Sequence, residues 1–319
     1  MIKFNQLKPE MAQTNEVLGF VGLVTKTEIR PMKTGKDFLS LELTSKEGIV
    51  NAKKWTVTKA DQTLKVGQVV EGTAKVDEYQ GTLSLNIQDM NVVDIDPAEF
   101  KLTAIENVHN LTNELKGYVE NIQNDSIKNI VVDALTKAGE KFYIHPAAKA
   151  MHHNEEHGLL YHTTRMIRAA VALVPVYDNE PERPINKDLI VAGIIFHDIG
   201  KLEELEQIAT GAGEYTKASL IGHICLGYKA ICGYEKDGMI DEETAFQLSH
   251  VVLSHHGKQE YGSPVTPAFR EAFIVNTVDG LDAKMMAAET EMLRLQEDEL
   301  GKNTNLCVGG HVFKNKIIK

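Results

Sequence analysis

The sequence contains few cysteines. Cys225, Cys232 and Cys307 occur in a chain of 319 residues, and they form neither a CxxC pair nor a disulfide framework. This scarcity excludes a disulfide-stabilised secreted domain and argues against a structural zinc site built on thiolates. We expect the three cysteines to be small buried residues.

Long apolar segments are also missing. No run of residues approaches the length of a membrane span, and residues 1–9 lack the apolar h-region of a signal peptide. We therefore expect a cytoplasmic protein with no membrane partner. The net charge of −11 gives no general attraction to nucleic acid, so any such contact requires a local basic surface.

The first 95 residues have the pattern of a small β-barrel. The chain is long enough for two domains, and alternating apolar residues with short turns predict strands in residues 1–95. The predicted strands cover residues 17–29, 38–44, 49–54, 69–78 and 82–93. One or two helical turns are expected within residues 57–65. This arrangement matches an all-β OB-fold barrel, which commonly binds oligonucleotides.

Aromatic and basic residues of this predicted barrel are candidates for nucleic-acid contact. Bases would stack on the aromatic rings, and lysines would contact phosphates. The candidates are Phe20, Phe38, Trp55 and Tyr79 for stacking, and Lys33, Lys36, Lys53 and Lys54 for phosphate. The alternative is that Phe20 and Trp55 fill the barrel core and that the lysines are only solvated.

From about residue 96 to residue 319 the pattern becomes that of an all-α domain. Apolar residues recur at spacings of three and four, which predicts amphipathic helices. We predict helices at residues 105–122, 126–138, 147–153, 159–174, 189–200, 217–234, 241–256 and 268–299. Ser126 is the expected cap of the second helix. The three prolines between Pro175 and Pro184 predict a surface loop, and Glu203–Glu206 a solvated acidic face.

The second part of the chain is organised around residues 189–201, an apolar run that leads into His197 and Asp198. Asn186 offers a helix start and Gly200 a stop, so we predict a buried helix whose last turn carries an imidazole and a carboxylate. A buried carboxylate without a partner is costly, so packing alone explains this pair poorly.

Further histidines and aspartates extend this pair into a series. In chain order it reads His162, His197-Asp198, His223, His255-His256 and Asp279. Imidazole and carboxylate ligands together suit manganese, iron, cobalt or zinc. Two metals that share one carboxylate would hold a scissile phosphate, supply the nucleophile and neutralise the developing charge. Asp198 is our candidate for the shared ligand and for the centre of catalysis.

The order of the series resembles the HD-domain metal-dependent phosphohydrolases. This resemblance implies two divalent metals per chain, with Asp198 a ligand of both. His162, His197 and Asp279 would complete one set of ligands, and His223, His255 and His256 the other. The alternatives are satisfied polar groups of the core and, for His223, a histidine that faces the substrate.

Four residues near the series are candidates for supporting roles. Lys201 follows the pair and could meet a phosphate oxygen as a point charge during catalysis; its alternative is a solvated lysine. Asp282 lies one turn from Asp279 and is either a carboxylate that supports a ligand or an alternative ligand. His153 and Asn154 are expected to line the pocket and contact substrate.

An OB-fold followed by an HD domain resembles the YhaM family of bacterial 3′-to-5′ exoribonucleases. The motifs that carry this resemblance are Gly158-Leu-Leu-Tyr-His-Thr163, Ala192-Gly-Ile-Ile-Phe-His-Asp-Ile-Gly-Lys201, Leu220-Ile-Gly-His-Ile-Cys-Leu-Gly227, Leu253-Ser-His-His-Gly-Lys-Gln-Glu-Tyr-Gly-Ser-Pro264 and Val278-Asp-Gly-Leu-Asp-Ala-Lys284. The sequence departs from the family at His157, a place usually held by glycine, and at Asn276, a place often held by histidine.

The family resemblance implies manganese-dependent release of nucleoside 5′-monophosphates from single-stranded RNA, with single-stranded DNA as a second candidate substrate. One alternative is a nucleotide or cyclic-dinucleotide phosphohydrolase with a regulatory OB domain. Another is a non-catalytic nucleic-acid-binding protein that keeps metal only for folding. An open ligand position and Lys201 argue against the latter. Homo-oligomerisation stays open.

Overall fold

A computed structural model of the chain describes residues 1–32, 35–45, 48–79, 82–100, 106–148, 156–208, 213–292, 295, 297–301 and 308–318. The chain divides into two compact units. The first comprises Met1–Leu102, Ile208–Gly211 and Ala288–Lys319, and the second comprises Thr103–Gln207 and Ala212–Ala287. Residues 96–102 and 288–319, predicted within the helical domain, thus group with the barrel. The split into functional domains 1–95 and 96–319 stays a prediction.

The first unit contains a closed β-barrel, which confirms the predicted OB-fold. Its strands are β1 (Leu18–Pro31), β2 (Asp37–Ser45), β3 (Gly48–Lys54), β4 (Val69–Tyr79) and β5 (Thr82–Val93), arranged in the order β1-β2-β3-β5-β4. The β3–β5 pair is parallel and the other pairs are antiparallel. Between β3 and β4 the predicted helix is a single 3₁₀ turn, Asp61–Thr63.

The barrel core is filled by alternate residues of each strand. Phe20, Leu23 and Leu43 are completely buried, so Phe20 is a core residue and not a stacking platform. The N-terminal segment adds to this core, because Phe4 and Leu7 are buried in it. Phe4 is the first residue of a 3₁₀ turn, Phe4–Gln6, and Leu7 directly follows this turn. Helix α1 (Pro9–Thr14) comes next.

The second unit is helical, as the sequence predicts. Its helices are α2 (Val108–Glu120), α3 (Asp125–Ala138), α4 (Glu140–Ile144), α5 (Gly158–Tyr177), α6 (Lys187–His197), α7 (Lys201–Glu204), α8 (His223–Lys236), α9 (Glu242–Ser254) and α10 (Arg270–Met292). Two short strand pairs of the described residues lie outside the barrel: β6 (Leu205–Gln207) pairs with β7 (Gly213–Tyr215), and β8 (Glu299–Leu300) with β9 (Phe313–Lys314). Among the described helices none is both long and apolar enough to cross a membrane.

Several predicted boundaries are wrong. Helix α5 continues through Pro175 to Tyr177, because a proline in the last turn removes one backbone hydrogen bond and little else. Asn124, not Ser126, caps α3 by accepting from the Ile127 amide. Residues 147 and 148 are not helical, and the rest of the predicted helix 147–153 lies outside the described residues. Helix α10 ends at Met292.

The cysteines also differ from expectation. Cys225 is exposed and Cys232 is half-buried, while Cys307 lies outside the described residues. Both described cysteines are on α8, whose buried face is formed by Ile224, Leu226, Gly227, Ile231 and Tyr234. The remaining positions of this helix face outward, so a cysteine there is not enclosed.

The centre of the helical unit is α6, in which every residue from Leu189 to His197 is buried. Asn186 caps it, as predicted, by accepting a hydrogen bond from the Leu189 amide. The helix ends at His197, with Asp198 as its C-terminal cap. Its last turn therefore delivers two polar side chains into an otherwise apolar core.

Candidate metal centre

Five helices bring the predicted ligands together. His162 lies in the second turn of α5, His197 is the last residue of α6 and Asp198 follows it. The first half of α10 carries Asp279. His223 begins α8, and His255 and His256 directly follow α9. Because most of these residues sit at helix ends, their side chains reach beyond the helical main chain towards a common point.

Three overlapping groups of donor atoms result, of which His197, Asp198 and His255 form one and the other two share no residue. His162, His197 and Asp279 offer ligand atoms that lie within 4.8 Å of one another. The Nε2 atom of His162 is 3.4 Å from Asp279 Oδ1 and 3.3 Å from His197 Nε2. The second group consists of His223, His255 and His256, again within 4.8 Å. Each group alone has the number and type of donors that a divalent metal needs.

Asp198 lies between the two groups. Its Oδ2 atom is 3.1 Å from His197 Nε2 and 3.7 Å from His162 Nε2. Its Oδ1 atom is 3.7 Å from His223 Nε2. One carboxylate oxygen thus faces each group, which is the arrangement expected of a ligand shared by two metals.

The main chain holds Asp198 and His223 at this separation. Gly200 lies so close to the start of α8 that a Cβ atom there would collide with the carbonyl oxygen of His223. Only glycine allows the two backbones to meet in this way. The glycine that follows the His197-Asp198 pair therefore has a packing role, whereas the sequence suggested a helix stop.

Each of the five histidines is fixed through its Nδ1 atom. The Nδ1 acceptors are Asp282 Oδ2 for His162 at 2.7 Å, Ile194 O for His197 at 2.6 Å, Glu204 Oε2 for His223 at 2.9 Å, Val252 O for His255 at 2.7 Å and Tyr261 O for His256 at 2.8 Å. Because every acceptor is an oxygen, Nδ1 carries the proton in each ring. In the neutral form of each ring the Nε2 lone pair is then left for the site, as in metal-binding histidines.

Three buried polar atoms of the site have no hydrogen-bond partner among the described residues. They are Asp198 Oδ1, His223 Nε2 and His255 Nε2. Buried polar atoms are rarely left unpaired, because each costs the full free energy of its desolvation. All three are atoms that a divalent metal can bind. The residues present therefore fit a metal centre.

Burial and charge shift the pKa values in this cluster strongly. Burial disfavours charge at Asp198, but the interactions with His197 and Lys201 outweigh it and hold the pKa of Asp198 well below the ordinary value. Burial would likewise lower the pKa of His162, yet hydrogen bonds to Asp279 and Asp282 raise it to about 10. His255 has no such partner, and burial lowers its pKa. Without metal the site is thus a compact set of opposite charges.

Lys201 contacts the centre directly. Its Nζ atom donates to Asp198 Oδ2 at 2.6 Å, and the side chain is largely buried. The alternative of a solvated lysine is therefore wrong. Contact between Lys201 and a phosphate stays a prediction.

Two carboxylates support histidines of the centre. Asp282 binds His162 with one oxygen and Arg165 Nε with the other, at 2.7 Å each. It is therefore positioned to orient His162. Glu204 accepts the hydrogen bond of His223 Nδ1 at 2.9 Å and so orients this ring, and the Glu204 side chain is mostly buried. The prediction that Glu203–Glu206 forms a solvated face is wrong for Glu204. Its position three residues after Lys201 puts both on one face of the helix, but the contact with His223 depends on how α7 packs against α8.

The barrel offers a separate candidate surface. The rings of Phe38 and Trp55 pack with centroids 5.2 Å apart, and Lys53 Nζ lies 5.8 Å from the Trp55 ring and 6.0 Å from the Tyr79 ring. Trp55 is 42% exposed and Tyr79 66% exposed, so the alternative that Trp55 fills the core is wrong. Lys54 is buried and paired with Asp61, which removes it from the phosphate contacts.

Three other candidates lie outside the described residues. They are His153 and Asn154, expected to line the pocket, and Lys33 of the barrel. The position before the Gly158-Leu-Leu run is described, however. His157 has a φ of 66°, a left-handed conformation that favours glycine. Its ring holds this conformation through a hydrogen bond between Nδ1 and the carbonyl oxygen of Tyr143 at 2.7 Å.

Comparison with known proteins finds matches along most of the chain. Residues 159–284 match the family model of the HD domain. A protein of Listeria welshimeri named 3′-5′ exoribonuclease YhaM is 34% identical over 283 residues, which cover 86% of this chain and 87% of that protein. A Geobacillus protein with the same name is 34% identical over 271 residues, or 83% of this chain and 82% of the relative.

A solved structure matches a smaller part of the chain. The second OB-fold domain of replication protein A from Methanococcus maripaludis is 19% identical, with a TM-score of 0.21. The match covers 25% of this chain and 87% of that structure.

Proposed function

From the premise that the chain belongs to the YhaM family of 3′-5′ exoribonucleases, we propose that it removes nucleoside 5′-monophosphates from the 3′ end of single-stranded RNA in a reaction that requires divalent metal. The observation that carries this proposal is the position of Asp198, with one oxygen facing each group of histidines. An activity in the cytoplasm, where bacterial RNA is found, is part of the proposal.

The proposed ligands follow from the two groups of donor atoms. His162, His197 and Asp279 hold one metal, His223, His255 and His256 hold the other, and Asp198 is shared. The unpaired atoms of Asp198, His223 and His255 support this assignment. Nitrogen and oxygen donors without thiolates are compatible with manganese, which we propose as the native metal. When bound, the metals supply Lewis acidity towards the phosphodiester and activate water.

The chain's own residues then orient the reacting groups. Asp282 and Glu204 keep the rings of His162 and His223 directed at the centre. Lys201 places a positive charge beside Asp198, close enough to offer a hydrogen bond to a phosphate oxygen of the bound substrate. Asp198 and Lys201 are therefore the proposed catalytic pair.

We propose that the barrel contributes affinity for the single strand. Bases stack on Phe38, Trp55 and Tyr79, while Lys53 contacts the backbone phosphates. Exposed rings next to an ammonium group support this assignment, because such surfaces bind single strands without strong sequence preference. His153 and Asn154 complete the proposed substrate contacts. Single-stranded DNA is the second proposed substrate.

Hydrolysis of end-labelled RNA tests the proposal. With manganese, 3′-labelled RNA is expected to release labelled nucleoside 5′-monophosphate from the first turnover, and 5′-labelled RNA to shorten stepwise. Chelator is expected to abolish both reactions, and the inactive Asp198→Asn protein controls for contaminating nucleases. Intact RNA, together with hydrolysis of a cyclic dinucleotide or a free nucleotide, would favour the alternative of a nucleotide phosphohydrolase.

A further inference from the structure

Large exposed apolar side chains lie close in sequence to two ligands of the metal centre. Leu220 is 85% exposed and Ile221 59% exposed, and only Gly222 separates them from the ligand His223. Tyr261 is 63% exposed, and its carbonyl oxygen accepts the Nδ1 hydrogen bond of His256. The rings of His223 and His256 have centroids 5.2 Å apart, so the two apolar segments are attached to neighbouring ligands.

The main chain of the segment that carries Tyr261 is held in place by its neighbours. Glycines with positive φ stand at both ends of it, Gly257 at 77° and Gly262 at 86°. The first is packed so tightly that a Cβ atom would lie 2.5 Å from the side-chain nitrogen of Asn276. After the second, buried Ser263 donates to the carbonyl oxygen of Leu253 at 3.0 Å. The main chain thus holds Tyr261 in place while its ring stays exposed.

A cation accompanies this ring. Lys258 Nζ lies 5.6 Å from the centroid of the Tyr261 ring and 3.3 Å from Glu260 Oε1. An aromatic ring beside an ammonium group is a combination used by proteins that bind single-stranded nucleic acid. Exposed apolar side chains that form a contiguous patch, unlike single ones, mark sites that bind ligands or partners.

We infer that Tyr261, together with Leu220 and Ile221, forms the subsite for the 3′-terminal nucleobase of the substrate. The inference rests on the proposed function. Release of a nucleoside 5′-monophosphate breaks the bond between the phosphorus and the 3′-oxygen of the penultimate nucleotide, so the attacked phosphate stays on the 3′-terminal nucleotide. The base of this terminal nucleotide therefore lies one nucleoside away from the metal centre and needs an apolar surface close by. Stacking suits an enzyme that releases every nucleotide in turn, because each base has a π-face.

The ring of Tyr261 can be removed without removing the support of His256. That support comes from the main-chain oxygen, which every substitution retains. Tyr261→Ala is thus expected to bind as much metal as the parent protein. Phe246 on α9 provides a matched control, since it is an exposed aromatic residue of similar accessibility, at 65%. It lies more than two turns before the ligands that follow this helix.

The experiment measures KM and kcat on three RNA oligonucleotides of equal length. One is unmodified, one has a 1-deoxyribose without base at its 3′ end, and one has this residue in the penultimate position. On unmodified RNA, Tyr261→Ala is expected to raise KM about tenfold, with Tyr261→Phe and Phe246→Ala unchanged. On RNA without the terminal base, parent and Tyr261→Ala are expected to have the same KM.

Each other outcome overturns the inference in a recognisable way. Equal KM values of parent and Tyr261→Ala on unmodified RNA would remove Tyr261 from substrate binding, although the exoribonuclease proposal stands. Loss of bound metal in Tyr261→Ala would assign the ring a structural role. A difference that depends only on the penultimate base would move the subsite by one nucleotide. If the parent protein leaves all three RNAs intact, the proposed function itself fails.

Discussion

Two buried carboxylates, one in each compact unit, have a lysine partner but differ in what surrounds them. Asp61 of the barrel accepts hydrogen bonds on both oxygens, from Lys54 Nζ at 2.9 and 2.8 Å and from the amide and hydroxyl groups of Thr58. Asp198 of the helical unit accepts from Lys201 on Oδ2, whereas its Oδ1 has no hydrogen-bond partner among the described residues.

The difference separates a structural ion pair from a functional one. Burial is nearly complete in both cases, and in both the pKa of the carboxyl lies below the ordinary value although burial opposes this shift. Neither burial nor pKa therefore identifies the functional carboxylate. The unpaired oxygen does, because a structural pair has no reason to leave a buried acceptor unused.

The largest expected difference concerns catalysis. Asp198→Asn is expected to lower the rate of RNA hydrolysis by about a thousandfold or more, since a shared metal ligand is lost. Bound metal, measured by elemental analysis, is expected to fall well below two per chain. Asp61→Asn is the matched control and is expected to keep both metal and activity, while Lys201→Ala keeps metal and loses turnover. Full metal occupancy and full activity in Asp198→Asn would refute the proposed role of Asp198.

The second difference concerns stability, and here the variant of Asp61 is expected to lose more than the variant of Asp198. Asp61→Ala leaves Lys54 buried without a partner, which is expected to lower the free energy of unfolding by about 3 kcal/mol. Urea unfolding measures this change, and the double variant Asp61→Ala/Lys54→Met is expected to recover most of it. Asp198→Ala in the presence of chelator is expected to lose much less. An equal loss in both single variants would erase the distinction between the two carboxylates.

A smaller effect is expected from the carboxylates that support ligands. Asp282→Ala and Glu204→Ala each remove the acceptor of one Nδ1 proton, so the affinity for metal is expected to fall between about ten- and a hundredfold. Metal titration of the metal-free protein measures this. Glu203→Ala, a change of the exposed neighbour, is the control. Unchanged affinity in Asp282→Ala would show that packing alone orients His162.

The smallest expected effect is a pH dependence of the barrel. The pKa of Asp61 is lower in the folded protein than the value of about 3.9 expected after unfolding. Its contribution to stability is therefore complete above pH 4 or so and is lost as the pH falls through the folded pKa. Trp55 is the single tryptophan of the chain and adjoins Lys54, so its fluorescence reports on the barrel. In Asp61→Asn, the loss of stability at acid pH is expected to be smaller than in the parent protein. An identical dependence of stability on pH in the two proteins would exclude Asp61 as the source of this loss.

Much of this arrangement could be predicted from sequence because local patterns determine it. Strand alternation placed the barrel strands within a few residues, and the spacing of histidines and aspartates identified the residues of both donor groups. The same alternation puts Lys53 outside and Lys54 inside the barrel, although both were treated as surface lysines. The alternation along β3 is thus sufficient to predict that Lys54 is buried.

The roles of Glu204 and of the N-terminal residues could not be read in this way. Whether Glu204 faces solvent or His223 depends on how α7 packs against α8, which no local pattern determines. Phe4 and Leu7 likewise lie in a short segment without periodicity, and only the closed barrel provides the apolar space that they occupy. Packing between segments that are distant in sequence determines both the orientation of Glu204 and the burial of Phe4 and Leu7.

The contact between Gly200 and the main chain of His223 has a consequence for selectivity. Side chains can adapt to ions of different radius by changing rotamer, but two touching backbones cannot. The separation between Asp198 and the start of α8 is thus set by main-chain packing, which a change of rotamer cannot alter. Adaptation to another metal would have to come from the outer histidines, His223 and His256, and not from this separation.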